Sequence, residues 1–480
     1  MVVLDKVKIA VIDNGIAEGL LRQPLEYKVY IDNTNCCVID DEHTELLGFI
    51  HGTICAMIIE NNFSECMLSS VKILNEDGIG KVDKLKIALD WCYQNNIFLV
   101  NLSLGMTHFR DIAVVRNVIN YYANRGMIIV AASANSGYKT YPASLSNVIG
   151  VAAGKMFEVN TDLQKQKGID FTALSDHEIK IEGNVFRLGK SNSYAAPYVT
   201  AMIGKLLKRE PNHDICSIRG KLFPETEKTS FLYSPDWIET AWVSERCGQS
   251  EGEYYFKEAH GELESCISMI DTIVLKDREE VIKYYSKKKN IVYLGKEPIQ
   301  NMVFDRYFWS RGQRVAQIID CKEKVSDMDI PMIICEFDES QDAILWLREL
   351  RDCFGKDGYN VYTMSTKVEC VLYDLEFLPD ELCYEAAMEQ VNNFLYWQTY
   401  YCQSDVILLG LNTSDCSNIN ILEMHADIVI KVNDANGATR IKIYCDGKMK
   451  LERIFEHINH ININILYREI LKLFTEDTDE

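Results

Sequence analysis

Four segments in the first two hundred residues carry side chains able to do acid–base, nucleophilic or charge-stabilising chemistry at the ends of apolar runs. Asp13 closes VKIAVID, His51 heads HGTICAMII, Asn135 follows MIIVAAS, and Ser191 and Ser193 lie in SNSYAAP ahead of a helical pattern. A carboxylate at the carboxyl end of a parallel strand points into the crevice where α/β folds place their sites, although it also serves as a turn or cap residue. A histidine heading a helix can exchange protons or simply cap and pack, and Gly52 beside it permits close backbone approach. The Asn135 amide can donate to developing negative charge, while Asn-Ser-Gly is also ordinary turn chemistry. A serine at a strand-to-helix junction lies near free helical N–H groups, as a nucleophile or as an N-cap, and Pro197 suits a first helical turn. Taken singly, each residue has a plain structural role. Their joint occurrence in the order Asp, His, Asn, Ser is the signal.

The elements that must position these groups alternate strand and helix. The runs at residues 7–12, 69–74, 97–104, 127–133 and 147–153 read as strands, the first as one buried on both faces. The stretches from Gly52, over KVDKLKIALDWCYQNN and over DIAVVRNVINYYANRG read as helices, the last ended by Gly126. This βαβ alternation predicts a parallel sheet with helices on both faces.

The segments VIDNGI, HGTICAMII, VNLSLG, VAASANSG, YPASLSNVIGVAA and SNSYAAP together make residues 5–208 resemble the subtilisin-like serine proteases, the subtilases, in motif and in chain order. The resemblance implies a catalytic triad of Asp13, His51 and Ser193 with Asn135 as the oxyanion-hole amide. The family pattern Gly-Thr-Ser-Met-Ala-x-Pro aligns the nucleophile with Ser193, leaving Ser191 where Gly is usual, Asn192 for Thr and Tyr194 for Met. It implies further that Ser103, Leu104 and Gly105 carry the substrate backbone as an added strand. Ala132, Ser133, Ala134, Thr140 and Tyr141 are expected to surround the pocket before the scissile bond, with no metal site and no cofactor. Met106, Ala134 and Ile54 depart from common family residues without removing a catalytic group.

Composition bounds the partners. Of 480 residues, 47% are hydrophobic and 25% charged, with a formal net charge of −21. That acidity argues against nucleic acid, which needs clustered Lys and Arg. No run reaches the roughly 18–20 apolar residues of a membrane span. The 16 cysteines are scattered, many inside apolar runs, without zinc-ligand spacing. Free thiols of this kind suit a reducing compartment, and the N-terminal run enters a strand with no signal peptide or pro-segment expected before it. The expectation is a cytoplasmic processing protease.

The organisation expected is a protease domain over 1–222, a linker or covering segment over 223–265, and a second, Rossmann-like α/β domain over 266–480. In the last, DTIVL, NIVYLG, PMIICEF, YNVYTM, DVILLGL, ADIVIKV and TRIKIYC read as strands. The loop after PMIICEF reads DESQDAILWL, without glycine, and Glu336, Asp338 and Glu339 would repel phosphate, so nucleotide hydrolysis is not expected. The pattern also resembles accessory domains of bacterial peptide-maturation systems, which implies leader removal from a precursor peptide and a maturation partner or homo-oligomer. The alternative is a subtilase fold that binds peptides or regulates without cutting them.

Overall fold

The computed structural model describes residues 6–39, 50–75, 77–155, 166–181, 183–211, 213–222, 234–248, 252–299, 302, 305–321, 329–413, 426–456 and 460–476. The chain divides into two compact units. The first holds the described residues up to 222 with Asp236–Glu239 and Asp305–Tyr307, and the second holds 234–235 and the remainder from Thr240 onward.

The first unit is built on strands β1 (Val7–Asp13), β2 (Tyr27–Ile31), β3 (Cys37–Ile39), β4 (Cys66–Lys72), β5 (Leu99–Leu102), β6 (Ile128–Ala132), β7 (Ile149–Ala153) and β8 (Phe171–Ala173). They form one sheet in the order β3-β2-β4-β1-β5-β6-β7-β8, parallel except for β3. Both faces of β1 are buried. Ile9 and Val11 enter a core shared with helices α1 (His51–Asn62), α4 (Asn192–Arg209) and α5 (Ile215–Leu222). Ala10 and Ile12 enter a second core beneath α2 (Val82–Gln94) and α3 (Ile112–Ala123). That period-2 split explains why the strands read as continuous apolar runs. A hairpin of β9 (Glu178–Ile181) and β10 (Asn184–Arg187) precedes α4, and Ile179 packs on Ile54, Met57 and Ile58 of α1.

Arg219 of α5 ties this layer to the sheet, donating to the carbonyls of Ser146 (3.0 Å) and Val148 (2.7 Å) and to Asp170 (3.0 Å). Asn120 of α3 donates to the carbonyls of Asp236 (2.7 Å) and Ile238 (3.1 Å), while Asn147 donates to that of Trp237 (3.1 Å). Residues 236–239 are thereby fastened to the first unit.

The second unit contains two sheets. The first takes β11 (Thr240–Val243), β12 (Lys257–Glu258), β13 (Thr272–Leu275), β14 (Asn290–Tyr293) and β15 (Phe308–Ser310) in the order β12-β11-β13-β14-β15, all parallel. Thr240–Val243, in the stretch expected to be linker or cover, is thus hydrogen-bonded between two strands. Its pattern is four residues long, too short to stand out from turn-rich flanks. The short helices α6 (Leu263–Cys266) and α7 (Arg278–Tyr284) accompany this sheet, and α8 (Arg311–Ile319) follows it, opened by a capping box of Ser310 and Gln313.

The second sheet takes β16 (Met332–Phe337), β17 (Val361–Ser365), β18 (Glu376–Phe377), β19 (Val406–Asn412), β20 (Ile428–Ala435), β21 (Ala438–Cys445) and β22 (Lys448–Phe455) in the order β18-β17-β19-β16-β20-β21-β22. The last three are antiparallel and the rest parallel. Helices α9 (Ala343–Lys356), α10 (Met388–Cys402) and α11 (His460–Glu476) complete the unit.

Residues just beyond the carboxyl ends of β13, β14, β16 and β17, with Asn412 closing β19, line one cleft of about 1070 Å³. Its wall carries both signs of charge, with Lys276 on Glu369 (2.9 Å) and Lys296 on Asp380 (2.8 Å). The side chain of Asp342 accepts from Leu345 N at 3.1 Å, so a carboxylate of the chain itself already occupies the N-terminus of α9.

Candidate active site

Asp13 ends the central strand of the first sheet and is almost fully buried, and its Oδ2 lies 2.9 Å from His51 Nδ1. Two contacts set this geometry. A Cβ on Gly52 would meet the Gly15 carbonyl at 2.3 Å and Asp13 Cβ at 3.0 Å, so only glycine lets α1 come this close to the end of β1. The amide of Gly52 also donates to the side-chain oxygen of Asn14 at 3.0 Å. Burial would lower the pKa of His51, but the hydrogen bond and charge of Asp13 outweigh it and hold the imidazole above its ordinary value. The ring stacks on Tyr194 with centroids 5.8 Å apart.

Ser193 is the second residue of α4, whose N-cap is Ser191. Pro197, expected in the first turn, is instead the sixth residue of this helix. Having no N–H, it cannot bond to the carbonyl four residues back, which is that of Ser193. That carbonyl accepts from Ser103 Oγ (2.8 Å) and from Cys55 Sγ (3.7 Å). Ser103 in turn accepts from Asn101 (3.0 Å), whose side-chain oxygen accepts from Thr200 (3.0 Å). The proline therefore joins the nucleophile candidate to buried side chains on β5, α1 and α4.

Asn135 follows β6 and is exposed. Its Oδ1 accepts from the backbone N–H of Asn192 (3.0 Å) and its Nδ2 donates to Ser191 Oγ (3.4 Å). Asn192 locks the other side, donating to Ser133 Oγ (3.0 Å) and the Ala134 carbonyl (2.9 Å) and accepting from Ala153 N (2.7 Å). The chain thus brings Asp13, His51, Asn135, Ser191 and Ser193 together from four elements.

The residues expected around the substrate are placed as follows. β5 ends at Leu102, and Ser103, Leu104 and Gly105 continue from it, with the Ser103 hydroxyl directed inward to Ser193. A Cβ on Gly105 would meet Thr140 Cγ2 at 2.2 Å, so this edge tolerates no side chain there. Thr140 Oγ1 accepts from Ala134 N at 2.8 Å, and Met106 pairs with Tyr141 through two backbone bonds of 2.8 Å. Ala132 and Ser133 are buried at the end of β6.

Cys55 was legible only as one apolar cysteine among many, yet its thiol lies one helical turn below His51. Ligand atoms of Asp13, His51 and Cys55 lie within 4.8 Å of one another, the one such metal-capable group among the described residues. Burial, reinforced by the Asp13 charge, pushes the Cys55 thiol well up, so it stays protonated and is not a competing nucleophile.

Comparison with known proteins finds relatives for the first part of the chain. Residues 5–230 match the model of the subtilase family. The chain is 27% identical over 222 residues to Minor extracellular protease Epr of Bacillus subtilis (strain 168), covering 45% of this chain and 34% of that protein. It is 28% identical over 159 residues to Subtilisin BL of Lederbergia lenta, covering 32% of this chain and 58% of that protein. Among solved structures, Sphericase shares 21% identity, with a TM-score of 0.37 over 45% of this chain and 81% of that chain. The chain thus spans roughly a third to three-fifths of the curated relatives it matches. Residues 5–230 are thus similar to the subtilase family.

Proposed function

We propose that the chain is a serine endopeptidase that hydrolyses peptide bonds within a specific peptide or precursor, acting in the cytoplasm. The observation that carries the reading is the buried Asp13–His51 pair at 2.9 Å, set at the carboxyl edge of the sheet beside the first turn of α4 that bears Ser193. His51 takes the Ser193 proton as its oxygen attacks the scissile carbonyl, and returns a proton to the departing amine. Asp13 fixes the imidazole tautomer and stabilises the imidazolium. Asn135 Nδ2 and the Ser193 N–H receive the charge that develops on the carbonyl oxygen. An extended substrate lies along Ser103–Gly105 as an added strand.

The second unit serves recognition in this reading. Its cleft lies outside the carboxyl ends of parallel strands, where α/β sheets bind ligands. A wall bearing both signs of charge suits a polypeptide better than a ligand of one sign. The cytoplasmic setting rests on the scattered thiols inside apolar runs, and leader removal rests on the likeness of the C-terminal pattern to peptide-maturation accessory domains.

The test is mass spectrometry of candidate precursor peptides incubated with wild type and with Ser193→Ala. Cleavage by wild type alone is expected; equal cleavage by both removes Ser193 from the reaction.

A further inference from the structure

Ser191 occupies the position where glycine is usual in subtilases, and its hydroxyl has a place in the site that the reaction as written does not use. Ser191 Oγ lies 2.8 Å from Ser193 Oγ and 3.4 Å from Asn135 Nδ2. The oxyanion of a tetrahedral intermediate must bond the same amide while sitting on the carbon that Ser193 has attacked, so it too lies beside the Ser193 oxygen. The two oxygens therefore compete for one seat. In this arrangement the Ser193 hydroxyl pairs with that of Ser191, while His51 bonds Asp13 through Nδ1 and keeps Nε2 for the Ser193 proton.

We propose that the Ser191 hydroxyl is a resting-state latch that fills the oxyanion seat and holds Ser193 off its base until a substrate carbonyl displaces it. This inference rests on the reading of Ser193 as nucleophile. The physical account is short. Ser191 is extended (φ −150°, ψ 139°) and caps α4 from outside the helix, so rotation about its χ1 alone moves the hydroxyl without disturbing the helix. The neutral bond it makes is weak enough to exchange, and the bond an oxyanion makes with Asn135 is charge-assisted and stronger. A well-placed peptide carbonyl thus releases the latch, while water or a poorly placed carbonyl does not. Ser191 touches the nucleophile but gains no bond to product, which makes it a positioning residue that restrains adventitious turnover.

A fluorophosphonate probe reads this directly. The Ser193 oxygen bonds to phosphorus, the P–F bond breaks, fluoride leaves and His51 takes the hydroxyl proton. Its phosphoryl oxygen needs the same seat. In the full chain, Ser191→Ala and Ser191→Gly should be labelled about three- to tenfold faster than wild type, the range that loss of one neutral hydrogen bond allows. The pH at half-maximal rate should stay where His51 sets it, because the latch acts on the seat and not on the base. A merely structural role for Ser191 would instead slow labelling on substitution. Rates equal to or below wild type, with Ser193→Ala abolishing labelling, overturn the latch and leave the nucleophile standing. Absence of Ser193-dependent labelling in wild type and both variants, with native circular dichroism, overturns the latch and the protease reading together.

Discussion

At the residue scale, the balance on His51 sets a pH profile. Its folded pKa is raised because Asp13 outweighs burial, and the reaction needs the neutral imidazole. Activity should therefore rise as pH passes upward through a midpoint above the ordinary value of about 6.5. In Asp13→Asn the charge is gone and burial remains, so the residual activity should have its midpoint moved to lower pH, with kcat greatly reduced. A profile of kcat/KM for both proteins checks the sign, and an unmoved midpoint would remove Asp13 as the cause. Asn135→Ala should lower kcat by about 10²–10³-fold with KM little changed, as loss of one oxyanion donor does in subtilisin. Asp13, His51, Asn135 and Ser193 were legible together, through their chain order and the motifs around them, since each alone reads equally as a cap or turn residue. The inward turn of Ser103 and the seat taken by Ser191 were not, since each depends on a partner distant in the chain.

At the element scale, the close approach of α1 to β1 and the interior proline of α4 are the devices that aim the site. Gly52→Ala places a methyl group 2.3 Å from the Gly15 carbonyl, so α1 must shift. Overpacking of this kind costs about 1–3 kcal/mol, and here it also moves His51 from Asp13. Denaturant unfolding and kcat should fall together; a stable variant with full activity would show that the helix is free to move. Ser103→Ala removes the hydroxyl donor to the Ser193 carbonyl, whose helical donor Pro197 cannot supply. A loss of about 1–3 kcal/mol is expected from the buried acceptor left short of a partner. The strands and helices themselves were readable from their periods. The position of Pro197 within α4 was not, because proline is ordinarily tolerated only at a helix start, and nothing local shows that the carbonyl it frees is taken by Ser103.

At the scale of the whole molecule, two units share one chain, and the second offers a charged cleft at its strand ends. If it recognises polypeptide, then Lys276→Glu combined with Lys367→Glu, both residues lining the cleft, should lower kcat/KM for a long polypeptide by about tenfold, roughly 1.4 kcal/mol. Hydrolysis of a tetrapeptide anilide should be unchanged, because it is too short to need a second site. Equal effects on both substrates, or none on either, would separate the cleft from recognition. The alternation of strands and helices in this unit was evident in the sequence. The partition of its strands into two sheets was not, and neither was the use of Thr240–Val243 as a strand between β12 and β13. Strand pairing joins segments far apart in sequence, and a four-residue strand has too little pattern to declare its neighbours.

By itself the sequence determined the parallel sheet of the first unit, the chain order of Asp13, His51, Asn135 and Ser193, and the likeness of residues 5–230 to the subtilases. The sheet follows from apolar period, and the site and the likeness follow from several motifs occurring in one chain order, since each motif alone has a plain structural role. Only the tertiary structure decided which hydroxyl faces Ser193, why Pro197 lies inside α4, and how residues 236–239 and 305–307 join the first unit. Those outcomes are set by hydrogen bonds between atoms that folding alone brings within 3 Å or so, and no local propensity encodes them.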